Sequence, residues 1–319
     1  MRTTNRRHFL TSAAATAAGF AFLNTLRAED AASEFKTTLH RSWMSGTDEK
    51  DYAAIAAAGF EGLETTSWDI APSEAEKVRR MADSLGLRIH SVLRGWTNFN
   101  QEDAFDADVQ SVVRSLEAAA AYGSDAVLLV PCRTGVPGPA AGQFEIECDA
   151  QGNAKRVVAG DNAPFADYIK AQNEANDATR RAMDLLIPVA ERTGVVIALE
   201  NVWNGLWCMP NIFAAFIRSF DNPWVKCYYD VGNHVKYAKP EEWFAALSDL
   251  IVKIHIKDFK LDATGHNGDF VHPRDGSVDW PSVRRAIDAI GYNGWLTIED
   301  GGLSLPEFRE RLDLIIAGK

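Results

Sequence analysis

From Thr37 onward the apolar positions fall into short β-branched runs, separated by longer stretches in which apolar residues recur every three to four places. Short continuous or alternating apolar runs predict strands, and the 3.6-residue period predicts helices. Strands are expected at 37–44, 60–66, 87–92, 126–132, 195–200, 225–230, 251–258 and 295–299. Helices are expected at 48–58, 73–85, 106–122, 176–193, 210–220, 240–247, 280–290 and 305–316, several of them stopped by a glycine such as Gly86, Gly123 or Gly194. The run Ala126 to Cys132 is almost wholly apolar, as suits a parallel strand buried on both faces. Eight strand–helix units in alternation predict an α/β chain folded as a single (β/α)8 barrel. An open doubly wound sheet would use fewer strands and a glycine-rich phosphate turn after the first, and no such turn occurs there.

Two segments interrupt the pattern. The connection 133–167 is rich in Gly and Pro and lies on the face where barrel active sites are built, so it reads as a lid or as a surface insertion. Residues 1–28 carry Arg2, Arg6, Arg7 and Arg27, no acidic residue, and an apolar core from Thr11 to Leu23. That make-up is an export signal, and its core is shorter than the roughly 20 residues of a membrane span. The run Asn5-Arg6-Arg7-His8-Phe9-Leu10 resembles a twin-arginine motif, so export by that route to the periplasm is expected, with the barrel occupying 29–319.

Charge narrows the partners. The formal charge of −11 becomes −15 once the four arginines of the signal are removed. Such a chain repels phosphate backbones and anionic lipid, which points away from nucleic acid and toward a small-molecule ligand; a homo-oligomer is compatible with it. Cys132, Cys148, Cys208 and Cys227 show no CxxC spacing and read as mostly buried thiols.

Polar residues collect at the C-terminal ends of the expected strands, where an inward side chain opens onto the mouth of the barrel. These are Glu64, His90, Glu200, Asp230, His255, Asp258 and Glu299. Glu200, Asp230, His255 and Glu299 come from four successive strands and can converge on one point. Three carboxylates and one imidazole suit a divalent ion such as Mn²⁺, Mg²⁺, Co²⁺ or Zn²⁺, of which Mn²⁺ is the favoured expectation. An internal salt-bridge network would need more inward cations than Lys253 and Lys257 supply.

The segments Ala198-Leu199-Glu200-Asn201, Tyr229-Asp230-Val231-Gly232-Asn233-His234, Ile254-His255-Ile256-Lys257-Asp258 and Thr297-Ile298-Glu299 resemble the xylose-isomerase-like TIM-barrel superfamily of sugar isomerases and epimerases. From Asp230 to Glu299 the order of motifs is most similar to its pentulose-phosphate 3-epimerase and hexulose-phosphate isomerase branch. The resemblance implies one divalent ion held by Glu200, Asp230, His255 and Glu299, with Glu200 and Glu299 as the acid/base pair on opposite faces of the substrate. It also implies that Glu64, His90 and Asn233 lie beside the substrate. Lys257 points the same way as His255 and is expected either on a substrate hydroxyl or carboxylate or in a pair with Glu200 or Glu299. Among the tryptophans near strand ends, Trp43, Trp96 and Trp203 are candidate sugar platforms.

The chain departs from that branch at Asn233, where simple ketose enzymes often carry His, and at Pro273-Arg274-Asp275-Gly276 in place of a Gly-Glu-Gly turn. With the export signal, this favours an unphosphorylated ketose, keto-glycoside or sugar acid as substrate. Two alternatives share the machinery: a lyase or dehydratase acting on a keto-sugar, and an exported sugar-binding barrel without catalysis. An apurinic-site endonuclease of the same barrel would need a His-rich cluster and a basic face, which seven histidines and this charge do not supply.

Overall fold

The computed structural model describes residues 35–319, so the expected signal lies outside the described residues. Thr37–Lys319 form one compact unit. Its elements in order are β1 (Leu39–Ser45), α1 (Glu49–Ala57), β2 (Gly62–Thr65), α2 (Pro72–Ser84), β3 (Arg88–Trp96), α3 (Glu102–Tyr122) and β4 (Ala126–Val130). Next come β5 (Glu147–Cys148), β6 (Ala154–Arg156), α4 (Ala166–Thr193), β7 (Val196–Glu200), α5 (Pro210–Arg218) and β8 (Val225–Asp230). The chain ends with α6 (Pro240–Leu247), β9 (Ile251–Ile256), β10 (Asp258–Leu261), β11 (Gly268–Val271), α7 (Trp280–Ala289), β12 (Gly294–Ile298) and α8 (Leu305–Ile316).

β1, β2, β3, β4, β7, β8, β9 and β12 close in that order into a parallel barrel, as the alternation predicts. Local signals set the helix ends. Pro72, Pro210 and Pro240 open α2, α5 and α6, where a missing N–H costs nothing, and Gly123 and Gly194 close α3 and α4 in the left-handed conformation. The main core lies between barrel and helices, with Leu63, Val127, Leu199, Ile254 and Leu296 among its buried members. Inside the barrel a small apolar cluster of Leu128, Val130, Ala198 and Tyr228 shares the space with polar side chains.

Several elements differ from expectation. α4 begins at Ala166 rather than near 176, and is 28 residues long, because its polar first turns dock the 133–167 insertion. Asn173 pairs with both the N–H and the carbonyl of Ala154 at 2.8 and 3.0 Å, and Asn176 donates to the Gly152 carbonyl at 2.9 Å. The insertion carries the β5–β6 hairpin, buries Ile146, Ala154 and Val157, and packs Phe144 against Tyr168 and Tyr237. β3 runs on to Trp96, and the seventh barrel strand stops at Ile256. Residues 258–271 instead form the antiparallel hairpin β10–β11, whose alternation is too short to stand out.

Candidate active site

Asp230 and His255 are paired across β8 and β9, and Thr297 is paired with His255 across β9 and β12, so the ends of these strands bring their side chains level. The ligand atoms of Glu200, Asp230, His255 and Glu299 all lie within 4.8 Å of one another. His255 Nδ1 is 3.2 Å from Glu200 Oε1 and 3.0 Å from Glu299 Oε2. Its other nitrogen, Nε2, meets Glu64 Oε2 at 2.5 Å. The Asn201 side chain clamps the main chain at Asp230 in both directions, donating to its carbonyl at 2.8 Å and accepting from its N–H at 2.7 Å. Asp230 Oδ1 accepts from the Asn233 N–H, while the fully buried Oδ2 makes no hydrogen bond.

Electrostatics make this cluster incomplete by itself. Among the described residues, four carboxylates, of Glu64, Glu200, Asp230 and Glu299, form their ion pairs with two cationic side chains, His255 and Lys257. Even with His255 protonated, two negative charges are uncompensated in a buried place, which is costly. Asp230 Oδ2, buried without a hydrogen bond and with Lys257 Nζ 3.4 Å away, and the mixed oxygen and nitrogen donors fit a divalent ion held by Glu200, Asp230, His255 and Glu299. The same field spreads the acidities. Burial, reinforced by Glu299 and Asp230, lifts the Glu200 carboxyl to about 7, against the pull of His255. Burial would also lift Glu299, but the His255 and Lys257 charges outweigh it and hold that carboxyl well below the usual range. Burial raises Asp230 despite Lys257. His255 is raised well above its ordinary value; burial opposes this, and the neighbouring Tyr228, Glu64 and Glu299 outweigh it.

The residues expected beside the substrate separate. Lys257 points into the site as alternation requires, with Nζ 2.8 Å from Glu299 Oε2 and 3.4 Å from Asp230 Oδ2, so the pairing alternative is the one the structure shows. Glu64 is corrected from a substrate contact to a buried support of His255, and Ser91 donates to it at 3.1 Å. His90 is corrected too. The β2–β3 register slips between Leu63 and Glu64, so His90 is the extra residue and both it and Ser91 turn into the barrel. His90 lies below the site, stacked on Trp295 and bonded to Ser42 and Thr297. Trp43 faces outward against Phe60 and Phe308, because its strand neighbour Ser42 takes the inward position. Asn233 is buried and donates to the Asn201 carbonyl instead of standing open to a ligand. Trp96 and Trp203 remain at the rim, 37% and 42% exposed; Arg133 covers the first ring and Lys236 the second. The four cysteines are free, and all but Cys148 are buried.

The model of the xylose isomerase-like TIM barrel family matches residues 52–315. The chain belongs to that family. An uncharacterized protein of Methanocaldococcus jannaschii is 22% identical over 142 residues, 43% of this chain and 46% of that protein, so the chain matches less than half the length of this relative. Among solved structures, the 3-keto-D-glucoside 4-epimerase of E. coli superposes with a TM-score of 0.64 at 16% identity, over 88% of this chain and 99% of the other. A D-tagatose 3-epimerase-like protein does so with a TM-score of 0.65 at 16% identity, over 87% and 97%. At such identities these likenesses establish the barrel.

Beside Glu299 the barrel mouth opens into a cavity of about 690 Å³, lined by Lys257, Lys260, Met44, Phe270, His272 and Asp300 among others. Part of this wall, from Lys260 to Asp300, lies in β10, β11 and the loops, which the strand-end reading did not reach. Asp258, expected as a site residue, organises that wall instead: its two oxygens accept from the N–H groups of Phe259, Arg274, Gly276 and Val278 and from the Trp280 indole. Gly276 is needed there, since a Cβ would fall 2.1 Å from Asp258 Oδ1. Among the described residues no helix is long and apolar enough to cross a membrane.

Proposed function

We propose that the protein is a divalent-metal-dependent isomerase or epimerase of a ketose-like sugar, with Glu200 and Glu299 as its proton-transfer pair. The observation that carries this reading is the convergence of three carboxylates and the His255 imidazole within 4.8 Å, at four neighbouring strand ends beside an open cavity. Removing a proton next to a carbonyl builds negative charge on oxygen. A divalent ion held by Glu200, Asp230, His255 and Glu299, with Mn²⁺ preferred, would stabilise that charge. One glutamate takes the proton and the other returns one to the opposite face, which inverts the centre or moves the carbonyl. Lys257, beside Glu299 and Asp230, keeps Glu299 ionised and ready to accept, while Glu64 fixes the ring of His255. That the solved neighbours are named as sugar epimerases supports the same class of reaction. The intact glutamate pair disfavours a barrel that only binds sugar. The arginine-bearing N-terminus supports export to the periplasm.

The test is solvent exchange. Protein loaded with Mn²⁺ and incubated in D₂O with ketoses and keto-glycosides incorporates deuterium at the carbon beside the carbonyl, and Glu299→Gln lowers that rate by about 10² to 10⁴. Absence of deuterium in every substrate, or full activity in Glu299→Gln, refutes the reading.

A further inference from the structure

We propose that His272, oriented by Asp300, donates a proton to a leaving oxygen, which gives this site a second activity: β-elimination from keto-glycosides. This rests on the proposed isomerase reading, since both reactions begin by removing the proton beside a carbonyl.

Epimerisation needs two proton-transfer groups, and Glu200 and Glu299 supply both. The cavity beside Glu299 holds a third group that this chemistry does not use. His272 Nδ1 lies 2.8 Å from Asp300 Oδ2, both residues line the cavity, and Asp300 directly follows Glu299 in the chain. The carboxylate on Nδ1 fixes the ring, edge-on to Phe308, and leaves Nε2 without a hydrogen-bond partner among the described residues. With 34% of its side chain exposed, His272 is in contact with solvent as well as with the cavity.

The loop does not need the His272–Asp300 bond to stay in place. Asp258 already captures it at Arg274, Gly276 and Val278, and Arg311 donates to the Pro273 carbonyl at 2.6 Å and pairs with Asp275 at 2.9 Å. Arg274 is held at φ +79°, a strained conformation for a non-glycine residue, immediately beside the Pro273 that follows His272. A rigid loop that presents a carboxylate-bound imidazole to a cavity is suited to positioning an acid. The cavity is also larger than a twelve-heavy-atom hexose requires and lies in the range that takes larger ligands, with Met44 and Phe270 as apolar walls for an aglycone.

The step balances without a co-reactant. In a keto-glycoside whose acidic C–H lies between the carbonyl and the carbon bearing the glycosidic oxygen, one glutamate takes the proton. The C–H electron pair forms a C=C bond as the C–O bond breaks. The oxygen leaves with the bonding pair and takes the proton of His272 Nε2, giving an unsaturated keto-sugar and a free alcohol.

The test compares leaving groups. Mn²⁺-loaded protein in D₂O is given 3-keto-glucosides bearing 4-nitrophenyl, phenyl or methyl aglycones, and aglycone release and deuterium uptake are both measured. Wild type releases all three. His272→Gln slows release of methanol by about 100-fold, with a loss that shrinks steadily as the leaving group becomes a weaker base, and Asp300→Asn shows the same ordering with smaller losses. A purely structural role for His272 would slow all three equally, and that result overturns the proposal. Deuterium uptake by wild type without aglycone release overturns the proposal and leaves the isomerase reading standing. Neither uptake nor release overturns both.

Discussion

Glu64 and His255, from strands on different sides of the barrel, meet at 2.5 Å with neither side chain reaching solvent. The carboxylate takes Nε2, so Nδ1 is the nitrogen turned toward Glu200 and Glu299. A carboxylate behind a metal-binding imidazole sets its tautomer and basicity. Glu64→Gln is expected to weaken Mn²⁺ binding by about 10- to 100-fold, read by titration calorimetry. Unchanged affinity would show that Glu64 does not orient the ligand.

Removal of the ion should cost stability as well as activity, because the buried carboxylates outnumber their cations. At a free Mn²⁺ concentration one hundred times its Kd the folded state gains about 2.7 kcal/mol. Thermal melts with Mn²⁺ and then with a chelator should therefore differ by several degrees in a chain of this size. Coincident melts would mean that the four side chains hold no ion.

Two buried histidines set an acid limit. Burial holds His234 at about 3, its Nε2 facing the Val202 carbonyl, and burial with the Lys253 charge holds His90 well below its ordinary value. Both stay neutral in the fold, whereas in the unfolded chain they protonate near pH 6.5. Their contribution is complete above that pH and is lost as pH falls toward the folded values, at about 1.4 kcal/mol per pH unit for each. Urea unfolding between pH 6 and 4 should show that slope, and His234→Gln should remove one histidine's share; an equal slope in the variant would contradict the assignment.

Export is testable in a host with the twin-arginine route. Replacing Arg6 and Arg7 by lysine should leave the chain in the cytoplasm at full length. Periplasmic recovery of that variant would remove the basis for the route.

The barrel and its four converging donors were legible in the sequence because both are local properties. Each element carries its own period, and a residue at the C-terminal end of a parallel strand opens onto the mouth whatever the rest of the chain does. Parity along a strand reaches only as far as the next irregularity. One extra residue at His90 turned two consecutive side chains into the barrel and set Ser91 against Glu64, the partner of His255. Trp43 was misplaced for a related reason: a large aromatic near a strand end satisfies either face, and only the neighbouring Ser42, bound to His90, decides which. The cavity wall lies further still from sequence reasoning. His272 and Asp300 stand 28 residues apart in loops without periodicity. They meet because Asp258 folds one loop back onto the end of β12, a closure that depends on tertiary packing and leaves no pattern in the chain.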